Sequence, residues 1–130
     1  MLNSEIASQE HLFPPSFQRE FDAHVYYTAD TRDLARRLRL QATTRFRNHP
    51  ILVGQLVDKL VGPHPLAMFE INFPKELYQT VVDWLDQARG ELSILVHEVT
   101  GDDPKDHSSG AIWLGKKLVL DESKLDPSPV

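Results

Sequence analysis

Alternating apolar and polar residues, rich in β-branched and aromatic side chains, predict four β-strands in this chain. The strands are predicted over residues 21–28, 51–60, 66–72 and 92–98. Successive side chains of a strand point to opposite faces of the sheet. In the first strand the odd-numbered residues, from Phe21 to Tyr27, are apolar or aromatic, and the even-numbered ones include Asp22 and His24. The predicted sheet therefore has one apolar face and one that carries polar groups.

Two stretches with apolar residues every three or four positions predict amphipathic helices. The first covers about residues 31–47, and the second begins at Pro74 and ends at Gly90. The order β-α-β-β-α-β is that of a ferredoxin-like α+β fold, a two-layer sandwich with the strand order 4-1-3-2. Both helices are predicted to cover one sheet face. A polar loop and a short added strand within residues 111–120 extend the basic motif.

The two ends of the chain lack this periodicity. Residues 1–18 are predicted to be loosely ordered, and residues 121–130 are predicted to form a flexible, proline-rich tail. Residues 19–120 are predicted to be a single domain. We expect a cytoplasmic protein, because the N-terminal residues do not have the pattern of a signal peptide and no apolar run approaches the roughly 20 residues that span a bilayer.

The composition restricts the chemistry of the chain. Its 130 residues carry a net charge of −5 and include six histidines and no cysteine. A chain without cysteine has no disulfide, no thiolate metal site and no cysteine nucleophile. The negative charge argues against a general binder of nucleic acids or anionic membranes. Any metal or acid–base chemistry must therefore come from histidine, aspartate or glutamate.

The first predicted helix is strongly basic. It holds six of the eight arginines, namely Arg32, Arg36, Arg37, Arg39, Arg45 and Arg47. Such a helix can bind anions or nucleic acid, but a solvated face balanced by acidic neighbours is the favoured interpretation. We predict no nucleic-acid partner and no membrane partner.

The sheet face away from the helices collects the candidate catalytic groups. In the predicted strand order, His97, His24 and Glu70 lie side by side, and His64 reaches the rim from a rigid Gly-Pro-His-Pro turn. Side chains on adjacent strands stand about 5 Å apart, which suits shared metal ligation. Imidazole and carboxylate ligands with open positions are typical of non-haem Fe(II) oxygenases. The alternative is that these histidines are simply packed or solvated.

The loop of residues 100–107 holds Asp106 and His107. Its composition is that of a solvated turn. The functional interpretation places either residue over the site, as an acid–base or orienting group. His11 and His49 are expected to be exposed or structural.

Several short segments share their order and spacing with a known family. They are Phe21-Asp22-Ala23-His24-Val25-Tyr26-Tyr27, Gly62-Pro63-His64-Pro65, Arg89-Gly90-Glu91-Leu92-Ser93-Ile94-Leu95-Val96-His97, Thr100-Gly101-Asp102-Asp103, Asp106-His107 and Ala111-Ile112-Trp113-Leu114-Gly115. Together they resemble the DOPA 4,5-dioxygenase family of the fungal type, from Phe21 to Leu120. The resemblance implies a ferredoxin-like homodimer that cleaves the catechol ring of DOPA with O₂.

The resemblance also implies a set of site residues. His24, His64 and His97 match the family's histidines and are the expected metal ligands. Glu70, which comes from the shared sheet face and not from the resemblance, is a candidate carboxylate in place of one of them. His107 is the expected acid–base group, with Asp106 beside it. The expected metal is Fe(II), although zinc or another divalent ion would fit the same ligands in purified protein.

The chain departs from the family pattern in the first strand and leaves its function open between two classes. Relatives often have His-x-His where this chain has Asp22-Ala23-His24. Either the first histidine is not essential, or Asp22 replaces it as a carboxylate, or the activity is altered. The leading hypothesis is an extradiol catechol dioxygenase whose substrate pocket is lined by Tyr26. The alternative is a non-catalytic, dimeric small-molecule-binding protein. The apolar part of the uncovered face needs a cover, either a second copy or the chain's own C-terminal segment.

Overall fold

The computed structural model describes residues 17–121 and residue 123. The elements are β1 (Phe21–Tyr27), α1 (Arg32–Arg45), β2 (Leu52–Val53), β3 (Ala67–Phe73), a 3₁₀ turn (Lys75–Leu77), α2 (Tyr78–Ala88), β4 (Ile94–Glu98), α3 (Asp103–Asp106) and β5 (Ala111–Leu114). The predicted ferredoxin-like α+β fold is confirmed. Most of the two terminal segments expected to be loose lies outside the described residues.

One antiparallel sheet carries the fold, with β1 at its centre. The strand order is β2-β3-β1-β4-β5, which is the predicted order with β5 added beside β4. The register sets His24 opposite Glu70 on β3 and opposite Leu95 on β4. Asp22 lies opposite His97 in the same way. The register therefore brings the polar positions of three neighbouring strands together on one face.

The predicted ten-residue second strand is wrong. Only Leu52 and Val53 pair with β3, and a single bridge follows between Val57 and Met68. Between the pair Val53–Ile71 and this bridge, the β2 side advances by four residues and the β3 side by three. The extra residue interrupts the ladder, as a β-bulge does. The chain after Val53 therefore leaves the regular sheet.

The helices and one sheet face enclose the main core. Fully buried residues come from β1, β3 and β4 (Ala23, Val25, Phe69, Ile71, Ile94, Val96) and from the two helices (Ala35, Leu38, Ala42, Val81, Leu85). These are the apolar positions of the sequence pattern, and burying such aliphatic and aromatic groups is the main favourable term in folding. The polar face of the sheet points away from this core.

The chain's own C-terminal segment covers the other sheet face. Here Tyr26, Met68 and Leu95 are buried, and the segment that follows β4 packs on them through Ala111, Trp113, Leu118 and Leu120. The N–H of Asp121 donates to the carbonyl of Pro63 at 2.8 Å and holds the segment against the turn before β3. A second copy of the chain is therefore not needed to cover these apolar residues.

Several arginines of α1 have partners within the chain. Arg32 forms an ion pair with Asp58 at 2.9 Å, and Arg39 donates to the carbonyl of Gly54 at 2.6 Å. The guanidinium of Arg45 lies over the ring of Trp84. These contacts agree with the interpretation of α1 as a balanced surface helix. Among the described residues, no helix is long and apolar enough to cross a membrane.

Candidate metal and active site

Four histidines from four parts of the chain meet on the polar side of the sheet. His24 comes from β1, His97 from β4, His64 from the turn before β3, and His107 from the loop after α3. Ring centroids lie 4.2 Å apart for His24–His64, 5.5 Å for His64–His107, 4.4 Å for His107–His97 and 5.0 Å for His97–His24. The structure thus brings together the three predicted metal ligands and the predicted acid–base group. We call this group of four residues the histidine ring, and we use "imidazole" or the residue's own ring for a single side chain.

Three members of the histidine ring are held neutral by their surroundings. Burial is the largest cause, and repulsion from the neighbouring imidazoles in their charged form is the next. Together they lower the pKa of His24 well below its usual value and the pKa of His64 to about 3. Burial also lowers the pKa of His97. A neutral imidazole has one N–H and one nitrogen with a free lone pair. Each of these rings can therefore offer one nitrogen to a metal ion.

A backbone contact fixes which nitrogen His97 offers. Its Nδ1 lies 2.8 Å from the carbonyl oxygen of Glu98, which can only accept a hydrogen bond. We therefore place the hydrogen of His97 on Nδ1, which leaves a lone pair on Nε2. That Nε2 atom lies 2.9 Å from Nε2 of His24.

His24 has acceptors behind its other nitrogen. Its Nδ1 lies 3.2 Å from Sδ of Met68 and 3.7 Å from Oε2 of Glu70. A thioether and a carboxylate accept hydrogen bonds and donate none, so we place the hydrogen of His24 on Nδ1 as well. Both facing Nε2 atoms then carry lone pairs, an arrangement that a cation between them would stabilise. Two imidazole nitrogens about 2.0–2.1 Å from one metal ion lie about 3 Å apart, so the observed pair fits an N-ligand metal site.

Tyr26 supports His64 in the histidine ring. Its hydroxyl lies 2.7 Å from Nδ1 of His64. Burial, with a smaller contribution from Glu70, raises the pKa of Tyr26, so the side chain remains a phenol. A phenol can accept the Nδ1–H of His64, which leaves Nε2 of His64 available as a ligand. The ring of Tyr26 also stacks on Trp113 of β5, with 5.8 Å between centroids.

Two sets of three side chains within the described residues have ligand atoms close enough to share an ion. One set is His24, His64 and His107, and the other is Asp22, His24 and His97; within each set the atoms lie within 4.8 Å of one another. His24 belongs to both sets, whereas His64 and His97 fall in different ones. Glu70, the predicted carboxylate candidate, lies outside both sets and stands behind His24.

A buried polar network lies beside the histidine ring. Arg19 donates to both carboxylate oxygens of Asp22, at 2.9 and 2.6 Å. Asn72 donates to Asp22 at 2.7 Å and to Glu70 at 3.0 Å, so its amide bridges the two carboxylates. Sequence reasoning missed Arg19 and Asn72. The position of Asn72 two residues after Glu70, on the same face of β3, was the available signal.

Asp106 shapes the loop that carries His107. Its carboxylate accepts hydrogen bonds from the backbone N–H of Thr100 at 2.9 Å and from the hydroxyl of Thr100 at 2.6 Å. The side chain is buried. These contacts close the loop between β4 and β5, so Asp106 influences the site through the position of its neighbour His107.

The chain is similar in sequence and in structure to known proteins. The sequence profile of the Dopa 4,5-dioxygenase family matches residues 21–124. The chain belongs to this family. A solved structure, "a putative dioxygenase" from Nostoc punctiforme, is 38% identical, superposes with a TM-score of 0.74, and is matched over 81% of this chain and 89% of that one. Family and neighbour both support a dioxygenase-like function.

Two fungal relatives are longer proteins than this chain. A DOPA 4,5-dioxygenase of Amanita muscaria is 32% identical over 114 residues, which are 82% of this chain and 50% of that protein. An uncharacterized 21.2 kDa protein of Botryotinia fuckeliana is 37% identical over 112 residues, which are 79% of this chain and 61% of that protein. The aligned part thus spans between half and about three-fifths of the length of these two relatives.

Proposed function

We propose that this chain is a metal-dependent extradiol dioxygenase that cleaves a catechol, such as DOPA, with O₂. The observation that supports this most strongly is the contact between Nε2 of His24 and Nε2 of His97, 2.9 Å apart with an acceptor behind each ring. Fe(II) is the proposed metal, because imidazole ligands with open positions suit oxygen-activating iron. Zinc or another divalent ion in purified protein would use the same nitrogens.

The proposed ligands are His24, His97 and His64. Asp22 is the alternative third ligand, but both of its oxygens already accept hydrogen bonds from Arg19 or Asn72. His64 and His97 fall in different sets of three. Binding of one ion by His24, His64 and His97 together would therefore draw the rings of His64 and His97 closer to each other. Glu70 is proposed to orient His24 through Nδ1, as carboxylates commonly do behind metal-binding histidines.

When bound, Fe(II) supplies a Lewis acid for the catechol oxygens and an electronic route between the catechol and O₂. In the proposed reaction one O₂ is consumed per catechol, the carbon–carbon bond beside the two hydroxyls breaks, and both oxygen atoms enter the product. His107 is proposed to accept a hydroxyl proton and to return it after ring opening. Its ring is only partly buried, unlike the other three, so it can meet the substrate.

The direct test loads the purified protein with Fe(II) without oxygen and then adds air-saturated buffer with DOPA or caffeate. We expect O₂ uptake that matches catechol loss one to one, together with a yellow ring-opened product. No uptake and no product with either catechol would contradict the proposed activity on these compounds.

The roles of His107 and the metal ligands can be separated. We expect His107→Ala to keep its bound iron and to lower kcat on the order of 100-fold, since general acid–base groups contribute about 10²–10⁴-fold. Iron content per chain and single-turnover rates measure the two effects. Loss of iron in this variant would instead make His107 a ligand, together with His24 and His64.

The proposed alternative is a non-catalytic small-molecule-binding protein, and metal analysis separates the two functions. A binding protein predicts no stoichiometric iron and binding of a catechol that does not depend on His24. The dioxygenase predicts one iron per chain that is lost in the His24→Gln variant.

A further inference from the structure

A cavity of about 380 Å³ opens beside the histidine ring. Its walls come from the loop that carries His107 and from the C-terminal segment, and include Trp113, Lys117, Leu118 and Leu120. Small-molecule sites commonly occupy about 300–1,000 Å³ and combine apolar walls with a few polar groups. The cavity has the size and lining for an aromatic ring with a short side chain.

The cavity adjoins the site through His107. This residue lines the cavity, and its ring is 4.4 Å from that of His97. Trp113 presents a half-buried indole to the cavity and stacks on Tyr26, which contacts His64. A planar ring packed against Trp113 in this cavity would therefore lie close to the histidine ring and to the C-terminal segment.

Lys117 gives this cavity its charge. Among the lining residues that the structure describes, it is the one permanent cation, and none of them is a carboxylate. The neighbouring Lys116 is also exposed but does not line the cavity. The cavity therefore favours a ligand that carries an anionic group on its side chain.

We propose that Lys117 selects catechols whose side chain ends in a carboxylate, by pairing its ammonium with that carboxylate while the ring packs against Trp113. The inference rests on the proposed dioxygenase function, because that function is what makes the ligand a catechol. The ammonium of lysine is a flexible point charge, so it can follow side chains of slightly different length.

The test compares two substrates that differ in one charge: dihydrocaffeate and its primary amide. We expect the wild-type protein to have a higher kcat/KM for the carboxylate, and Lys117→Gln to lower the carboxylate-to-amide ratio about two- to fivefold, mainly through KM, as for an exposed ion pair. Added salt should reduce the wild-type preference, since exposed charges are screened. Lys116→Gln is the matched control and should leave the ratio unchanged.

The outcomes separate this inference from the proposed function. A ratio that stays the same in Lys117→Gln, or that falls equally in both variants, would overturn the role of Lys117. If the wild-type protein turns over neither substrate, the proposed activity fails. Calorimetry with phenylpropionate, which cannot be ring-cleaved, then tests the role of Lys117 alone. Weaker binding of phenylpropionate to Lys117→Gln than to the wild type and to Lys116→Gln would support this role, and equal binding to the three proteins would overturn it.

Discussion

His24 is the residue on which the candidate site depends. Its ring contacts those of His64, His97 and His107, and it belongs to both sets of potential ligands. It sits at the middle of the central strand, so the sheet fixes its backbone from both sides. Acceptors behind its Nδ1 direct the lone pair of Nε2 toward His97. Small changes behind this ring should therefore alter the affinity of the proposed metal site.

Glu70 provides the test of that idea. We expect Glu70→Gln to weaken iron binding about tenfold, because groups that orient metal-binding histidines typically contribute 10–100-fold to affinity. The substitution keeps the size of the side chain and removes its charge. Competition with a chelator measures the affinity, and Glu91→Gln, an exposed change, is the control. Equal iron affinity in both variants would show that Glu70 does not orient His24.

Strand alternation was enough to predict that His24, Glu70 and His97 share a face. The prediction held because antiparallel register places every second side chain together on neighbouring strands. The contact between Met68 and His24 could not be predicted in the same way, since it depends on the rotamers of two long-range partners. Asn72 was missed because its amide is informative only once Asp22 and Glu70 are known to flank it.

At the scale of elements, β5 and the segment after it complete the site. They add Trp113 to the sheet and cover Tyr26, Met68 and Leu95. The chain turns at Gly115, directly after β5, with a φ of 78°, a conformation that glycine adopts without the strain of a side chain. The cover over the second face therefore depends on this turn.

Gly115→Ala should destabilise the fold. A Cβ there would lie 3.1 Å from the backbone carbonyl oxygen of Leu92, which cannot easily move, and 2.6 Å from Nη1 at the flexible end of Arg89, in addition to the strain of positive φ. We expect a loss of about 1–3 kcal/mol in the free energy of unfolding, measured with denaturant. Gly90→Ala is the control, because φ is 58° and the nearest atom would be 3.5 Å away. A loss no larger than that of the control would contradict the close packing at Gly115.

The added strand could be predicted from the sequence, but its function as a cover could not. The apolar run within residues 111–120 indicated a strand, and residues 111–114 form one. The sequence left open whether this segment or a second copy covers the apolar sheet face. Whether the segment reaches that face depends on the direction that the chain takes after the turn at Gly115. The strand pattern does not predict this direction.

At the scale of the whole molecule, the site is assembled from parts that are far apart in the sequence. The Nε2 atoms of His24 and His97 lie 2.9 Å apart, although the two residues are separated by 73 positions and come from neighbouring strands of the sheet. The predicted homodimer remains a prediction, and the chain itself covers the apolar part of its second sheet face. The cytoplasmic location also remains a prediction.

Iron bound per chain is the measurement that tests the central claim most directly. The protein is loaded with Fe(II) without oxygen, freed of excess metal and analysed beside His24→Gln, His97→Gln and the exposed control His49→Gln, each checked for folding by circular dichroism. We predict one iron per chain in the wild type and in the control, and close to none in the other two variants. A wild-type protein without stoichiometric iron, or full iron retention in the folded His24 variant, would contradict the metal site proposed at the histidine ring.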